Sequence, residues 1–149
     1  MLATLKSLGA RDSDLAELNL EIKEDMQEAC GWSEAAGCYK RGASTIVTRP
    51  DSVADRRHMA HEYLHYIWFK HNLDKDRHLT SQLIAFYGNN PSFQQRINGQ
   101  HNRYVDSGGL QPTEFFSYGC TEVSNAKLGP YIAAKCNEYI NTDSLPALY

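Results

Sequence analysis

No stretch of this 149-residue sequence approaches the roughly 20 consecutive apolar residues that a bilayer-spanning helix needs, so no membrane span is expected. A basic excess is missing too. Lys and Arg number 15 against 18 Asp and Glu, and a net charge of −3 leaves no electrostatic footprint for nucleic acid or an anionic membrane surface. The opening MLATLKSLGARDSD lacks the apolar core and cleavage site of a secretory signal, which points to the cytoplasm if the protein begins there. Internal repeats and low-complexity segments are absent. Methionine is scarce, confined to Met1, Met26 and Met59. The four cysteines, Cys30, Cys38, Cys120 and Cys136, form no C-x2-C pair, which excludes a zinc knuckle. They leave two readings open. Cys30–Cys38 would close a short loop and Cys120–Cys136 would staple a helix–turn–helix, or all four are buried free thiols. If the disulfides form, an extracellular or cell-envelope location is favoured over the reducing cytosol.

What is there is an ordinary soluble composition, 42% hydrophobic and 22% charged, and a length that suits one domain over residues 1–149. Residues 12–17 read as helix. Leu18, Leu20 and Ile22 then alternate with polar neighbours at the period of a half-buried strand. Residues 31–37 read as loop. Residues 38–40 and 44–48 read as hairpin arms turning at Arg41-Gly42, with β-branched Thr45, Ile46, Val47 and Thr48 in the second arm. Pro50 stops that strand, and Asp51 or Ser52 can cap the next helix. From Val53 to about His71 there is neither Gly nor Pro, and Ala60, Tyr63, Leu64, Ile67 and Trp68 recur at helical spacing, with Met59 in the same core. A further helix is expected over residues 78–87, ended by Gly88 and the Asn89-Asn90-Pro91 breaker. Residues 99–112 read as loop, Pro112 to about Val123 as helix, and Gly129-Pro130 to about Ile140 as the last helix. Strands early and helices late predict an α+β fold: a small N-terminal hairpin sheet, a central helix and a helical C-terminal part.

That central helix contains His61-Glu62-Tyr63-Leu64-His65, an H-E-x-x-H pattern. Residues at i and i+4 share a face, so both imidazoles can reach one zinc ion (Zn2+), while Glu62, one residue on, can reach a water rather than the metal. The chemistry implied is hydrolysis, with Glu62 as general base. By chance the pattern arises on the order of once per hundred such chains, and a chance match need not fall mid-helix between apolar flanks. The metal reading therefore wins.

A third protein ligand is needed, with the fourth position left open. His71 stands where one class of these sites, H-E-x-x-H-x-x-G-x-x-H, has a histidine, but Trp68 occupies the glycine position and will not take the left-handed turn. That class also needs a downstream methionine, and there is none. His71 is instead expected at the surface near the helix end, where a cation suits the dipole. Three glutamates come after the motif: Glu114, Glu122 and Glu138. Glu114, in the first turn of a helix and flanked by aromatics, is the first candidate. Glu122, roughly on the same face, could bind metal or support a ligand histidine. Glu138 beside Lys135 is expected in solvent.

H-E-x-x-H followed downstream by helical Pro112-x-Glu114-Phe115-Phe116 resembles the gluzincin metallopeptidases, including the minimal minigluzincins and the lethal-factor and titration-factor types. The segment from Glu114 to Glu122, followed by a Pro-containing helix, also resembles uncharacterised bacterial secreted H-E-x-x-H proteins. The likeness covers roughly residues 37–149 and rests on two short motifs. It implies a zincin-like fold, a zinc cofactor, a peptide or protein substrate, and Glu114 as third ligand. It also implies a sheet edge beside the active-site helix that holds extended substrate as an added strand, expected at Ser44–Thr48. The chain departs from the lethal-factor type at Tyr118, where that type has a carboxylate. This leaves open which group orients the histidines and keeps Glu122 a candidate.

Peptide hydrolysis develops an oxyanion that a nearby donor can stabilise. Tyr104, before Glu114, is the first candidate and Tyr118 the second; His58 shares the metal face of its helix and can line the cleft. Two competing functions stay open: a non-catalytic zinc-bearing or peptide-binding regulatory module, and hydrolysis of peptidoglycan stem peptides. Oligomeric state is not readable.

Overall fold

The computed structural model describes residues 1–100 and 112–149, a mixed α+β fold, mostly helical, around a three-stranded sheet. Helices α1 (Leu2–Ser7) and α2 (Asp12–Leu15) lead into strand β1 (Asn19–Ile22), and α3 (Met26–Cys30) leads into β2 (Gly37–Lys40) and β3 (Thr45–Thr48). Next come α4 (Arg56–Lys70), α5 (Arg77–Asn89), α6 (Pro91–Gln100), α7 (Pro112–Glu122), α8 (Asn125–Leu128) and α9 (Pro130–Tyr139).

β2 and β3 make the expected antiparallel hairpin, with Tyr39 opposite Ile46, linked by a 3-10 turn over Arg41–Ala43. β1 joins β3 in parallel with Leu20 opposite Ile46, which gives the order β1-β3-β2. β3 is therefore central and paired on both sides. The expectation that Ser44–Thr48 offers a free edge is overturned: its β-branched residues are all buried, as suits a strand covered on both faces. The edges are β1 and β2. The expected alternation holds at Leu18 and Leu20, which are half-buried against the main core between exposed Asn19 and Glu21, and fails at Ile22, which is exposed. Successive side chains of a strand point to opposite faces. Ile46 accordingly enters the main core, and Val47 enters a second, smaller one with Met26 and Ala35.

α4 is the axle of the main core, apolar on nearly every side through Met59, Ala60, Tyr63, Leu64, Tyr66, Ile67 and Trp68. Its cap is Asp55, whose carboxylate accepts from the His58 N–H at 3.0 Å, rather than Asp51 or Ser52. Pro50–Ser52 forms a separate 3-10 turn, so only the last of three cap-type residues opens the helix. Pro91 opens α6 rather than merely ending α5, a first-turn position where its missing N–H costs nothing. Both disulfides are present, Cys30–Cys38 with Cα atoms 5.8 Å apart and Cys120–Cys136 at 5.3 Å, which overturns the reading of four free thiols. Among the described residues no helix is long and apolar enough to cross a membrane.

Candidate metal centre

Arg57, His61 and His65 repeat every fourth residue and so share one face of α4. α7 runs antiparallel along it: Arg57 Nη1 donates to the Thr121 carbonyl near the end of α7, while His65 meets Thr113 near its start. Glu114 sits in the first turn of α7, and its two aromatic neighbours fix that turn. Phe115 stacks on Tyr87 with centroids 4.5 Å apart, and Phe116 lies 5.6 Å from Trp68. The aromatic pair read from the sequence as a flank is thus the anchor of the carboxylate.

Three side chains converge. His65 Nε2 lies 2.9 Å from Glu114 Oε1, His61 Nε2 lies 3.5 Å from Glu114 Oε2, and the two Nε2 atoms are 3.2 Å apart. His61, His65 and Glu114 form the group able to hold a metal ion among the described residues. Behind it, Thr113 Oγ1 lies 2.8 Å from His65 Nδ1. An Nδ1–H donated to that hydroxyl leaves the Nε2 lone pair facing the cluster. The Tyr118 ring packs edge-on against His61 at 4.5 Å.

The electrostatics of the trio favour positive charge between these atoms. Burial alone would raise the Glu114 carboxyl, yet the charge of His65 and hydrogen bonds from His61 and His65 hold it well below the usual range. Burial pushes His65 down, but the Glu114 charge and hydrogen bond, together with the Glu62 charge, raise it. Burial and the Glu114 charge push the Tyr118 phenol up, which keeps it a protonated donor. His58 is lowered by burial and stays neutral. Its Nε2 lies 2.9 Å from Thr48 Oγ1, which donates to the Ala36 carbonyl at 3.2 Å and so accepts from the imidazole. Gly37 makes room for this ring: a Cβ there would come within 2.7 Å of His58 Nε2 and 2.5 Å of the Val47 carbonyl.

The other sequence candidates lie elsewhere. Glu122 is buried and gripped by Arg96, with Nη2 to Oε1 at 2.7 Å and Nε 3.2 Å from each oxygen, so it is outside the trio. His71 stands at the C-terminal end of α4 and is half-exposed, as expected, but it has a partner there. Its Nε2 lies 2.7 Å from Asp14 Oδ1 and its ring is 5.0 Å from that of Tyr139. Glu138 is exposed beside Lys135 at 3.4 Å, as expected. Tyr104 falls outside the described residues.

The trio opens into a cleft of about 720 Å³, walled on one side by α3 and β2 and on the other by α4 and α7, with Glu62 and His58 on its lining. Sequence reasoning missed Thr113, Arg57 and Arg96. A threonine beside a helix start looks like an ordinary capping residue, and the arginines look like solvated surface. Compared with models of known protein families, with curated proteins and with solved structures, the chain matches none.

Proposed function

We propose that this chain is a zinc-dependent endopeptidase of gluzincin type on a zincin-like fold, with His61, His65 and Glu114 as metal ligands and Glu62 as general base. One observation carries the reading: two imidazole nitrogens and a carboxylate, spaced 2.9, 3.2 and 3.5 Å, converge on a cleft beside Glu62. The donor set fits zinc. Ligands about 2.1 Å from a tetrahedral zinc lie roughly 3.4 Å from one another, close to the spacings found. A cation there would also take over from the imidazole protons in neutralising Glu114.

When bound, zinc supplies Lewis acidity, polarising the peptide carbonyl and acidifying the attacking water. The rest falls to the chain's own groups. Glu62 takes the water's proton on its carboxylate and passes it to the leaving nitrogen, so that peptide and water yield an acid and an amine. The Tyr118 hydroxyl, or Tyr104, donates a hydrogen bond to the developing oxyanion. Thr113 keeps His65 in the required orientation. Substrate backbone pairs with β2, the sheet edge beside the cleft, rather than with β3. Two disulfides suit an oxidising, extracellular or cell-envelope setting.

The test is metal analysis with a casein or peptide-library assay, run on wild type and Glu62→Gln. Wild type should hold one zinc per chain and cleave, and Glu62→Gln should hold zinc and lose at least about a hundredfold in rate. Zinc without cleavage would favour a non-catalytic regulatory module, and cleavage restricted to peptidoglycan stem peptides would move the substrate class. No zinc after reconstitution would end the proposal.

A further inference from the structure

Three guanidinium groups that the proposed hydrolysis does not use line the cleft, and two of them, Arg57 and Arg96, are anchored on α7. Arg57 stands one turn before His61 on α4; its Nη1 donates to the Thr121 carbonyl and its Nη2 to the Pro146 carbonyl at 2.6 Å. Arg96, from α6, grips Glu122 and lies 5.3 Å from the Tyr118 ring centroid. Both line the cleft. Their anchors, the Thr121 carbonyl and the Glu122 carboxylate, belong to adjacent residues of α7, which puts both arginines toward the same end of the cleft.

Each fork is held by the fold before any ligand arrives, so little ordering is lost on binding. Arg57 bonds to neutral carbonyls and makes no ion pair among the described residues, while Arg96 is matched by one carboxylate. The Arg57 charge therefore has no carboxylate within ion-pair distance among the described residues, although Asp55 and Glu62 line the same cleft, and an arginine fork has more N–H donors than these bonds use. Lys40 and Arg41, at the β2 side, are exposed, where water screens them, and Arg41 lies over the Phe69 ring at 4.1 Å.

We infer that this end of the cleft is a carboxylate subsite, in which Arg57 and Arg96 take an acidic side chain or a free C-terminal carboxylate of the substrate. Thr121 lies two turns along α7 from Glu114, about 11 Å. Extended peptide advances about 3.3 Å per residue, so the carboxylate belongs about three residues from the bond that is cut. The substrate class rests on the peptidase reading; the subsite's charge does not.

The experiment compares peptide pairs that differ only as Glu against Gln at each position around the cut, all with amidated C-termini. A second set lacks acidic residues and differs only as free against amidated C-terminus. Zinc-loaded wild type should show kcat/KM about tenfold to a hundredfold higher for the carboxylate member at one position. That ratio should fall to about threefold or less in Arg57→Gln or, if that variant does not fold, in Arg96→Gln. Whichever set responds identifies the carboxylate's source. A second readout needs no turnover: calorimetric binding of the same pairs to Glu62→Gln should discriminate likewise. Cleavage without carboxylate preference, or a preference untouched by the arginine variants, overturns the subsite. No cleavage with discriminating binding leaves the subsite standing and the peptidase reading refuted. Neither cleavage nor discrimination refutes both.

Discussion

The two walls of the cleft are built on unequal foundations. The helical wall, α4 against α7, shares the main core with Leu5, Leu8, Trp68, Phe116 and Cys136, all nearly inaccessible to solvent. The sheet wall, α3 with β2, packs on a smaller cluster of three buried residues, Met26, Ala35 and Val47, with Tyr39 of β2 reaching the main core. Each wall has one disulfide, but Cys120–Cys136 lies within the main core, whereas Cys30 and Cys38 line the cleft itself. The proposed metal ligands all ride the first wall, and the edge proposed to take substrate belongs to the second. On the proposed reading, the larger core backs the ligand atoms that need precise placement, and the smaller one backs the surface that would meet a peptide.

The largest test of this contrast is on the helical wall. Phe116→Ala should cost about 3–5 kcal/mol, read by denaturant unfolding, and should take zinc binding with it. Removing Cys30–Cys38 as a double serine variant should cost less, about 2.5 kcal/mol from a loop of this length. It should also act differently: peptide KM rises while zinc stoichiometry, by metal analysis, is unchanged. Loss of zinc in that variant would show that the walls are not separable. Thr113→Val should weaken zinc about tenfold to a hundredfold in a competition titration, with the unfolding midpoint nearly unmoved. Unchanged zinc affinity would remove Thr113 from any orienting role.

The smallest effect lies far from both walls. Asp76 caps α5 by accepting from the Leu79 N–H at 3.0 Å, and takes a further bond from the Tyr131 hydroxyl at 2.8 Å. The Leu79 bond lowers its carboxyl, against slight desolvation, with help from Tyr131 and Lys135. A depressed folded value means the stabilisation is present above the ordinary value of 3.8 and lost as pH falls through the lower one. Asp76→Ala should therefore cost about 1 kcal/mol near neutrality. Its gap to wild type should close below about pH 4, as read by unfolding at pH 6 and pH 3. A gap that stays constant would show that the cap does not depend on charge.

Legibility in the sequence divides along the same line. His61, Glu62 and His65 are legible because helical spacing is a local property, and Trp68 is enough to set aside His71 as a ligand. The actual partner of His71, Asp14, comes from a helix distant in sequence and leaves no local sign. Glu114 is legible through its aromatic neighbours. Glu122 stays a rival in the sequence because only the approach of α6 shows that Arg96 takes it. The hairpin is visible in its β-branched run, but the parallel docking of β1, which turns β3 from edge to centre, depends on long-range pairing. Three neighbouring cap-type residues make the start of α4 ambiguous. α1, α3 and α8 are too short to show a period, and Pro91 reads equally as the end of one helix and the start of the next.

The ligand list of the metal is the most direct measurement. Anomalous diffraction at the zinc edge, on crystals of zinc-loaded protein, should place one zinc between His61 Nε2, His65 Nε2 and the Glu114 carboxylate, with Glu62 outside the ligand set. Zinc held by other residues, or no zinc in that cleft, would contradict the assignment.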